Sequence, residues 1–281
     1  MVSYGCAKIH PLLINLMIVF PNAKINIGIN ITGRRHDGYH NIETIFYPLP
    51  IYDALEALPG NDLTFQSTGL PIPGKIEDNL CIKGYNLIKK DHNIPPLDIY
   101  LLKHIPIGAG LGGGSANAAF FIKLINRLFN LGLTTADMLD YARQLGADCA
   151  FFIESKPVFA FEKGDRFEDI ELDLSNYHIV LVMPPAHVST AEAYRGVRPA
   201  PVKQSLKDLI KLPVEEWKNH IRNDFEYSVF KNHPGIRGVK AALYDIGAIY
   251  ASMSGSGASV FGIFHNKPDL AELEKTNQVF Y

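Results

Sequence analysis

The sequence predicts an α+β protein of one or two domains, and three observations carry that expectation. Strict period-two alternation over residues 23–31 marks a strand near the start of the chain. Runs with apolar residues at helical spacing follow, interleaved with further strands. Around residues 163–173 the composition turns charged, as at a domain boundary. The 281 residues can bury a substantial core in one or two domains. The boundary divides the chain into residues 17–165 and 166–281.

Each element rests on a local signal. In residues 23–31, Ala23, Ile25, Ile27, Ile29 and Ile31 share one face, and Lys24, Asn26, Gly28 and Asn30 share the other, which predicts a half-buried strand. Its polar face meets either solvent or a ligand. Asp37-Gly38 signals a hairpin turn, and a second strand runs over 39–47 with Tyr39 and His40 at its start. Residues 54–67 read as strand and turn, 79–92 as an amphipathic helix capped by Asp78, and 97–103 as a strand. Helices are predicted over 115–131 and 134–145, the latter capped by Thr134 or Thr135. Past the boundary come a strand at 179–185 and a short polar stretch at 188–196 holding Thr190 and Tyr194. Helices at 217–230 and 235–247 and a glycine-serine turn in 251–264 complete the pattern.

Composition sets limits on function. With 47% hydrophobic and 20% charged residues the chain is not disordered. A net charge of −2 excludes broad polybasic contact with nucleic acid or an anionic membrane. Cys6, Cys81 and Cys149 are odd in number and widely spaced, which suggests neither a disulfide framework nor a zinc site and fits a reducing cytoplasm. The apolar run at 12–20 lacks a small-residue cleavage site and is too short to span a bilayer. Met17 stands just ahead of the first strand, so residues 1–16 read as an upstream extension without functional weight.

The chemistry concentrates in Pro106-Ile107-Gly108-Ala109-Gly110-Leu111-Gly112-Gly113-Gly114-Ser115-Ala116. Five glycines lie within seven residues and run straight into a helix. Glycine-rich backbone before a helix N-terminus, with its free N–H groups and positive dipole end, makes a phosphate site. The spacing also fits G-x-G-x-x-G, but the acidic residue a dinucleotide fold needs about twenty positions on is missing. A Walker loop is excluded because no Gly-Lys-Ser/Thr follows. Asp148, among small and aromatic residues after a helix, is either a cap or a carboxylate for acid–base work.

Three ordered stretches, 21–30, 106–119 and 253–264, resemble the motifs of the GHMP kinases. Pro-Asn-Ala-Lys-Ile-Asn at 21–26, Thr-Gly-Arg-Arg-His-Asp-Gly-Tyr-His at 32–40, Gly-Leu-Gly-Gly-Gly-Ser at 110–115 and Gly-Ala-Asp at 146–148 narrow the likeness. They resemble the family that moves the γ-phosphate of ATP to the 2-hydroxyl of 4-diphosphocytidyl-2-C-methyl-D-erythritol, in the non-mevalonate route to isoprenoid precursors. The resemblance spans roughly residues 20–264. It departs at Ala109, a place that is often glycine.

The resemblance implies a ribosomal protein S5 domain 2-like N-terminal ATP-binding domain and a ferredoxin-like C-terminal substrate domain. It implies Lys24 and Asp148 as the catalytic pair and residues 106–116 around the ATP phosphates, Ser115 assisting Mg²⁺ or a phosphate oxygen. Asn79 and Lys103 fall near the adenine nucleotide. Asn26, Tyr39, His40, Thr190 and Tyr194 fall on the substrate, with Tyr39 stacking on cytosine and His40 hydrogen-bonding to it. ATP with Mg²⁺ is then a co-substrate, with no tightly bound cofactor and no resident metal. A monomer or weak homodimer, acting on small molecules without nucleic acid or membrane, completes the expectation.

Overall fold

The structure is a computed structural model that describes residues 17–281. The expectation for residues 1–16 lies outside the described residues. In chain order the first half carries β1 (Ile18–Val19), β2 (Asn22–Arg34), β3 (His40–Tyr52), β4 (Ala54–Pro59), β5 (Thr64–Gly69), α1 (Leu80–Asp91) and β6 (Leu97–Lys103). It continues with α2 (Gly113–Phe129), α3 (Thr135–Leu145), α4 (Phe151–Glu154), β7 (Val158–Phe161) and β8 (Arg166–Asp169). The second half carries β9 (His178–Met183), α5 (Thr190–Arg195), α6 (Leu206–Leu209), α7 (Val214–His220), α8 (Glu226–Asn232) and α9 (Pro234–Asp245). It ends with β10 (Tyr250–Met253), β11 (Val260–Phe264), α10 (Ala271–Glu274) and β12 (Gln278–Phe280).

The described strands form three four-stranded sheets, in the orders β1-β4-β6-β5, β2-β3-β7-β8 and β10-β11-β9-β12. In the last, β12-β9-β11-β10 with antiparallel pairs is the ferredoxin-like arrangement. The charged stretch 163–173, expected to mark the boundary, runs from the turn after β7 through β8 to the residues beyond it. Because β8 pairs with β7, the chain leaves the N-terminal sheets only after Asp169.

Most elements follow their sequence signals, and the departures have local causes. Thr134 caps α3 through a capping box with Asp137. The cap of α1 is Asn79 rather than Asp78, which lies in a 3₁₀ turn, and the Asn79 carboxamide oxygen accepts from the Cys81 N–H at 2.9 Å. The single helix expected over 217–230 is two, α7 and α8. Between them the Asp224 carboxylate accepts from the Ile31 N–H at 2.7 Å, and the Asn223 amide donates to the carbonyls of Met253 and Gly255. Those bonds hold the turn against β2 in place of helix.

The largest correction concerns β2. It is buried on both faces: Ala23, Ile25, Ile27 and Ile31 are fully inaccessible, and Lys24 and Asn26 on the polar face are only 3% exposed. Ala23, Ile25 and Ile27 pack with Leu111, Trp217, Tyr250 and Phe261 in a core shared by the two halves, while an irregularity between Ile27 and Ile29 breaks the expected alternation and puts Ile29 and Ile31 in a second cluster with Val180, Phe225 and Met253. One strand is thus the common wall of both domains, and its polar residues point into the seam.

Candidate functional site

The glycine stretch closes over β2. The Lys24 N–H donates to the Leu111 carbonyl at 3.0 Å, and its ammonium donates to the Gly110 carbonyl at 3.1 Å and to Asn26 Oδ1 at 2.6 Å. Asn26 in turn donates to Thr44 Oγ1 at 3.0 Å, and the Thr44 hydroxyl donates to the Gly28 carbonyl at 2.7 Å. The Asn26 N–H reaches Ser254 Oγ at 3.3 Å, and that hydroxyl donates to the Gly110 carbonyl at 2.9 Å. The two glycine-rich turns, far apart in the chain, are therefore packed on one another. Gly110 has φ +76° and a methyl there would lie 2.0 Å from the Ser254 carbonyl oxygen, so no side chain fits.

Helix α2 starts where the stretch ends. Its cap is Gly112, left-handed and without a side-chain cap bond, so the first-turn N–H groups face the loop. Pro106, Ala109, Leu111, Gly113 and Ala116 are buried and anchor the loop, while Ile107, Gly108 and Gly114 are exposed. Ser115 sits half-buried in the first turn, its side chain bonded to Cys149. A cavity of about 270 Å³ opens beside this turn, lined by Asn79, Lys103, Ile107, Gly114 and Asn117 among others.

Asp148 enters from a 3₁₀ turn at 147–149, between α3 and α4. Its carboxylate lies 3.4 Å from the Lys24 ammonium and is 38% exposed, against 3% for Lys24. Burial pulls the Lys24 ammonium below its ordinary range, and the Asp148 charge and hydrogen bond pull it back up. The Phe46 ring, 5.0 Å away, adds a cation–π contact. This pair lines a cavity of about 190 Å³ with Asn26, Gly108, Thr190 and Tyr194. A larger groove of about 490 Å³, between residues 47–51 and 174–181, touches none of these groups.

His40 is absent from the lining of that cavity, but its ring stacks on the lining residue Tyr194, with centroids 4.8 Å apart and 20° between planes. Tyr194 is held edge-on by Phe225 at 4.8 Å. Burial and nearby Arg34 hold the His40 imidazole below its ordinary value. Tyr39 is 63% exposed and is absent from the cavity lining, its ring under the Lys163 ammonium at 5.5 Å. Thr190 opens α5 and its hydroxyl lies 3.4 Å from that of Ser256.

The structure thus brings Lys24, Asn26, Asp148, Thr190 and Tyr194 around one cavity and Asn79 with Lys103 around another. Sequence reasoning missed Thr44, Ser254 and Asp53. Thr44 and Ser254 become legible only once β3 and the second glycine turn are seen to touch β2. Asp53 left a trace, a lone acid between two apolar strand runs. Among the described residues no cluster of three or more His, Cys, Asp or Glu side chains is arranged to hold a metal.

Comparison with known proteins shows the family. Residues 79–156 match the GHMP kinases N terminal domain and residues 205–277 the GHMP kinases C terminal domain. The chain is 52% identical over 262 residues to 4-diphosphocytidyl-2-C-methyl-D-erythritol kinase of Bacteroides fragilis, covering 92% of this chain and 96% of that one. It is also 52% identical over 256 residues to the kinase of the same name from Parabacteroides distasonis, covering 91% and 94%. A crystal structure of 4-(cytidine 5′-diphospho)-2C-methyl-D-erythritol kinase superposes with a TM-score of 0.77 at 28% identity, covering 94% of this chain and 97% of that one. The chain belongs to the GHMP kinases, in the 4-diphosphocytidyl-2-C-methyl-D-erythritol kinase family.

Proposed function

We propose that the chain transfers the γ-phosphate of ATP to the 2-hydroxyl of 4-diphosphocytidyl-2-C-methyl-D-erythritol, with Lys24 and Asp148 as the catalytic pair. The observation that carries the reading is the buried Lys24 ammonium set 3.4 Å from a partly exposed Asp148 carboxylate, under a glycine loop and beside a helix N-terminus. Phosphoryl transfer asks for positioning and charge stabilisation, and this arrangement supplies both.

In this mechanism Asp148 accepts or orients the hydroxyl proton. The hydroxyl oxygen attacks the γ-phosphorus, the new O–P bond forms as the bond to the β–γ bridging oxygen breaks, and ADP leaves. Lys24, held by Asn26 and the Gly110 carbonyl, steadies charge on the hydroxyl oxygen and the moving phosphoryl group. Residues 106–116 wrap the ATP phosphates with loop and helix N–H groups, and Asn79 and Lys103 face the adenine nucleotide in the 270 Å³ cavity. Mg²⁺ bound with ATP would supply neutralisation of phosphate charge, and the Ser115 hydroxyl, in the first turn of α2, would turn from Cys149 to assist it or a phosphate oxygen.

Tyr39 and His40 read cytosine, with Tyr194 and Thr190 completing the substrate side. A neutral His40 offers one donor and one acceptor to the base edge, which suits the lowering of its pKa. Two buried free cysteines, Cys81 and Cys149, support a reducing cytoplasm. No described helix is long and apolar enough to cross a membrane. The chain acts in this reading as a monomer or weak homodimer on small molecules.

The test is ADP release from Mg-ATP with a panel of alcohols: the CDP-linked methylerythritol, methylerythritol phosphate, mevalonate and homoserine. Turnover with the CDP compound alone is expected. Turnover with another alcohol, unaffected by His40→Ala, would remove the cytosine assignment.

A further inference from the structure

Asp53 lies at the junction of β3 and β4, where the sequence shows only a single acid between apolar strands. It is 1% exposed and accepts four hydrogen bonds. One oxygen accepts the N–H groups of His104 at 2.7 Å and Ile105 at 2.8 Å, the two residues through which the chain leaves β6 for the glycine loop. The other accepts the Lys103 ammonium in a direct ion pair and the Asn117 side-chain amide at 2.8 Å. Asn117 is in the second turn of α2, and Lys103 ends β6. The Asp53 N–H itself donates to the Pro21 carbonyl at 2.9 Å, just ahead of β2.

We infer that Asp53 is a positioning residue for the nucleotide. It fixes the start of the glycine loop, the first turns of α2 and the Lys103 ammonium in one rigid frame. A carboxylate suits the place, because two backbone donors and two side-chain donors converge on it and only an anion offers enough acceptor sites. Without it, burial would leave the Lys103 ammonium unpaired, while the Asp53 charge pulls its pKa back up. A methyl on Gly113 would lie 2.8 Å from the Lys103 nitrogen, so the ammonium packs directly under the start of α2. Lys103 and Asn117, both bound to Asp53, also line the 270 Å³ cavity. Asp53 thus acts through its partners and touches neither substrate. No Lys24, Asp148, His40 or Tyr194 bond passes through it, so its influence falls on one side of the site.

This inference rests on the nucleotide lying along the loop and in that cavity. The experiment is steady-state kinetics of Asp53→Asn beside the unaltered chain, varying Mg-ATP and the CDP-linked substrate separately. The expected result is a KM for ATP raised roughly tenfold, with the KM for the CDP-linked substrate and kcat within about threefold of the unaltered chain. An unchanged KM for ATP, or a parallel loss in all three parameters, would overturn it. Should Asp53→Asn not fold, Asp53→Glu keeps a buried carboxylate beside Lys103 but displaces its oxygens from the His104 and Ile105 N–H groups. The same one-sided loss is expected there, and a symmetric loss overturns the inference. An unaltered chain with no ATP-dependent turnover would instead sink the proposed function itself.

Discussion

Two lysines in this molecule are buried to the same degree, and each faces an aspartate, yet the two pairs do different work. Lys103 and Asp53 are 3% and 1% exposed, and every acceptor site of the carboxylate is engaged by protein. Lys24 is equally buried, but Asp148 stands 3.4 Å away at 38% exposure, open to a cavity. In the first pair the carboxylate is closed off and holds backbone in place, while Lys103 also lines the 270 Å³ cavity. The second keeps one partner free for a ligand, at the cost of an ammonium stripped of water and only partly compensated. The contrast separates a carboxylate wholly engaged by protein from one left open to a cavity, although both read as "buried Lys with Asp".

The largest expected effect breaks the open pair. Asp148→Asn and Lys24→Ala should each lower turnover by roughly 10²-fold, as loss of an acid–base or charge-stabilising group does, while circular dichroism stays native. Next comes the seam between the two glycine turns. Gly110→Ala forces a methyl to 2.0 Å from the Ser254 carbonyl, so the loop must move off β2, and turnover and melting temperature should both fall. Thermal melts with activity assays check this, and a native melt with full activity would contradict the packing described.

A pH profile sharpens the comparison further. Lys24 needs its proton to steady negative charge, and burial lowers its pKa from 10.5. Activity should therefore fall on the alkaline side below that value. Because Asp148 raises the Lys24 pKa, the residual activity of Asp148→Asn should fall at lower pH than that of the unaltered chain. An alkaline limb that stays put would show that another group titrates. The smallest effect is expected from Lys123, on α2. Its ammonium donates to the carbonyls of Phe152 and Ile153 and, buried, has its pKa lowered to about 8. Lys123→Met should trim stability by about 1 kcal/mol and leave the alkaline limb in place, which chemical denaturation and the same profile would check.

Much of this was legible in the chain, for physical reasons that differ by residue. The alternation over 23–27 showed both faces of the first half of β2, and five glycines ahead of a helix marked the loop that closes over it. The burial of the polar face was not legible, because the groups that cover it, Ser254 and the Gly110 carbonyl, come from 228 and 86 residues away from the Asn26 N–H and the Lys24 ammonium that they meet. Tyr194 lay in a polar stretch with no pattern, and only packing on Phe225 and His40 gives it a place. The break between α7 and α8 was hidden because Asn223 and Asp224 spend their side chains on backbone from β2 and the second turn, contacts that helical spacing cannot reveal.

The measurement that tests the central claim most directly is single-turnover phosphoryl transfer. Asp148→Asn and Lys24→Ala, preloaded with Mg-ATP, would be mixed with the CDP-linked methylerythritol. The account predicts that both substrates still bind and that transfer slows by at least about tenfold in each variant. Transfer near the unaltered rate in both would contradict it, and would leave the closed and open pairs with the same, purely structural, task.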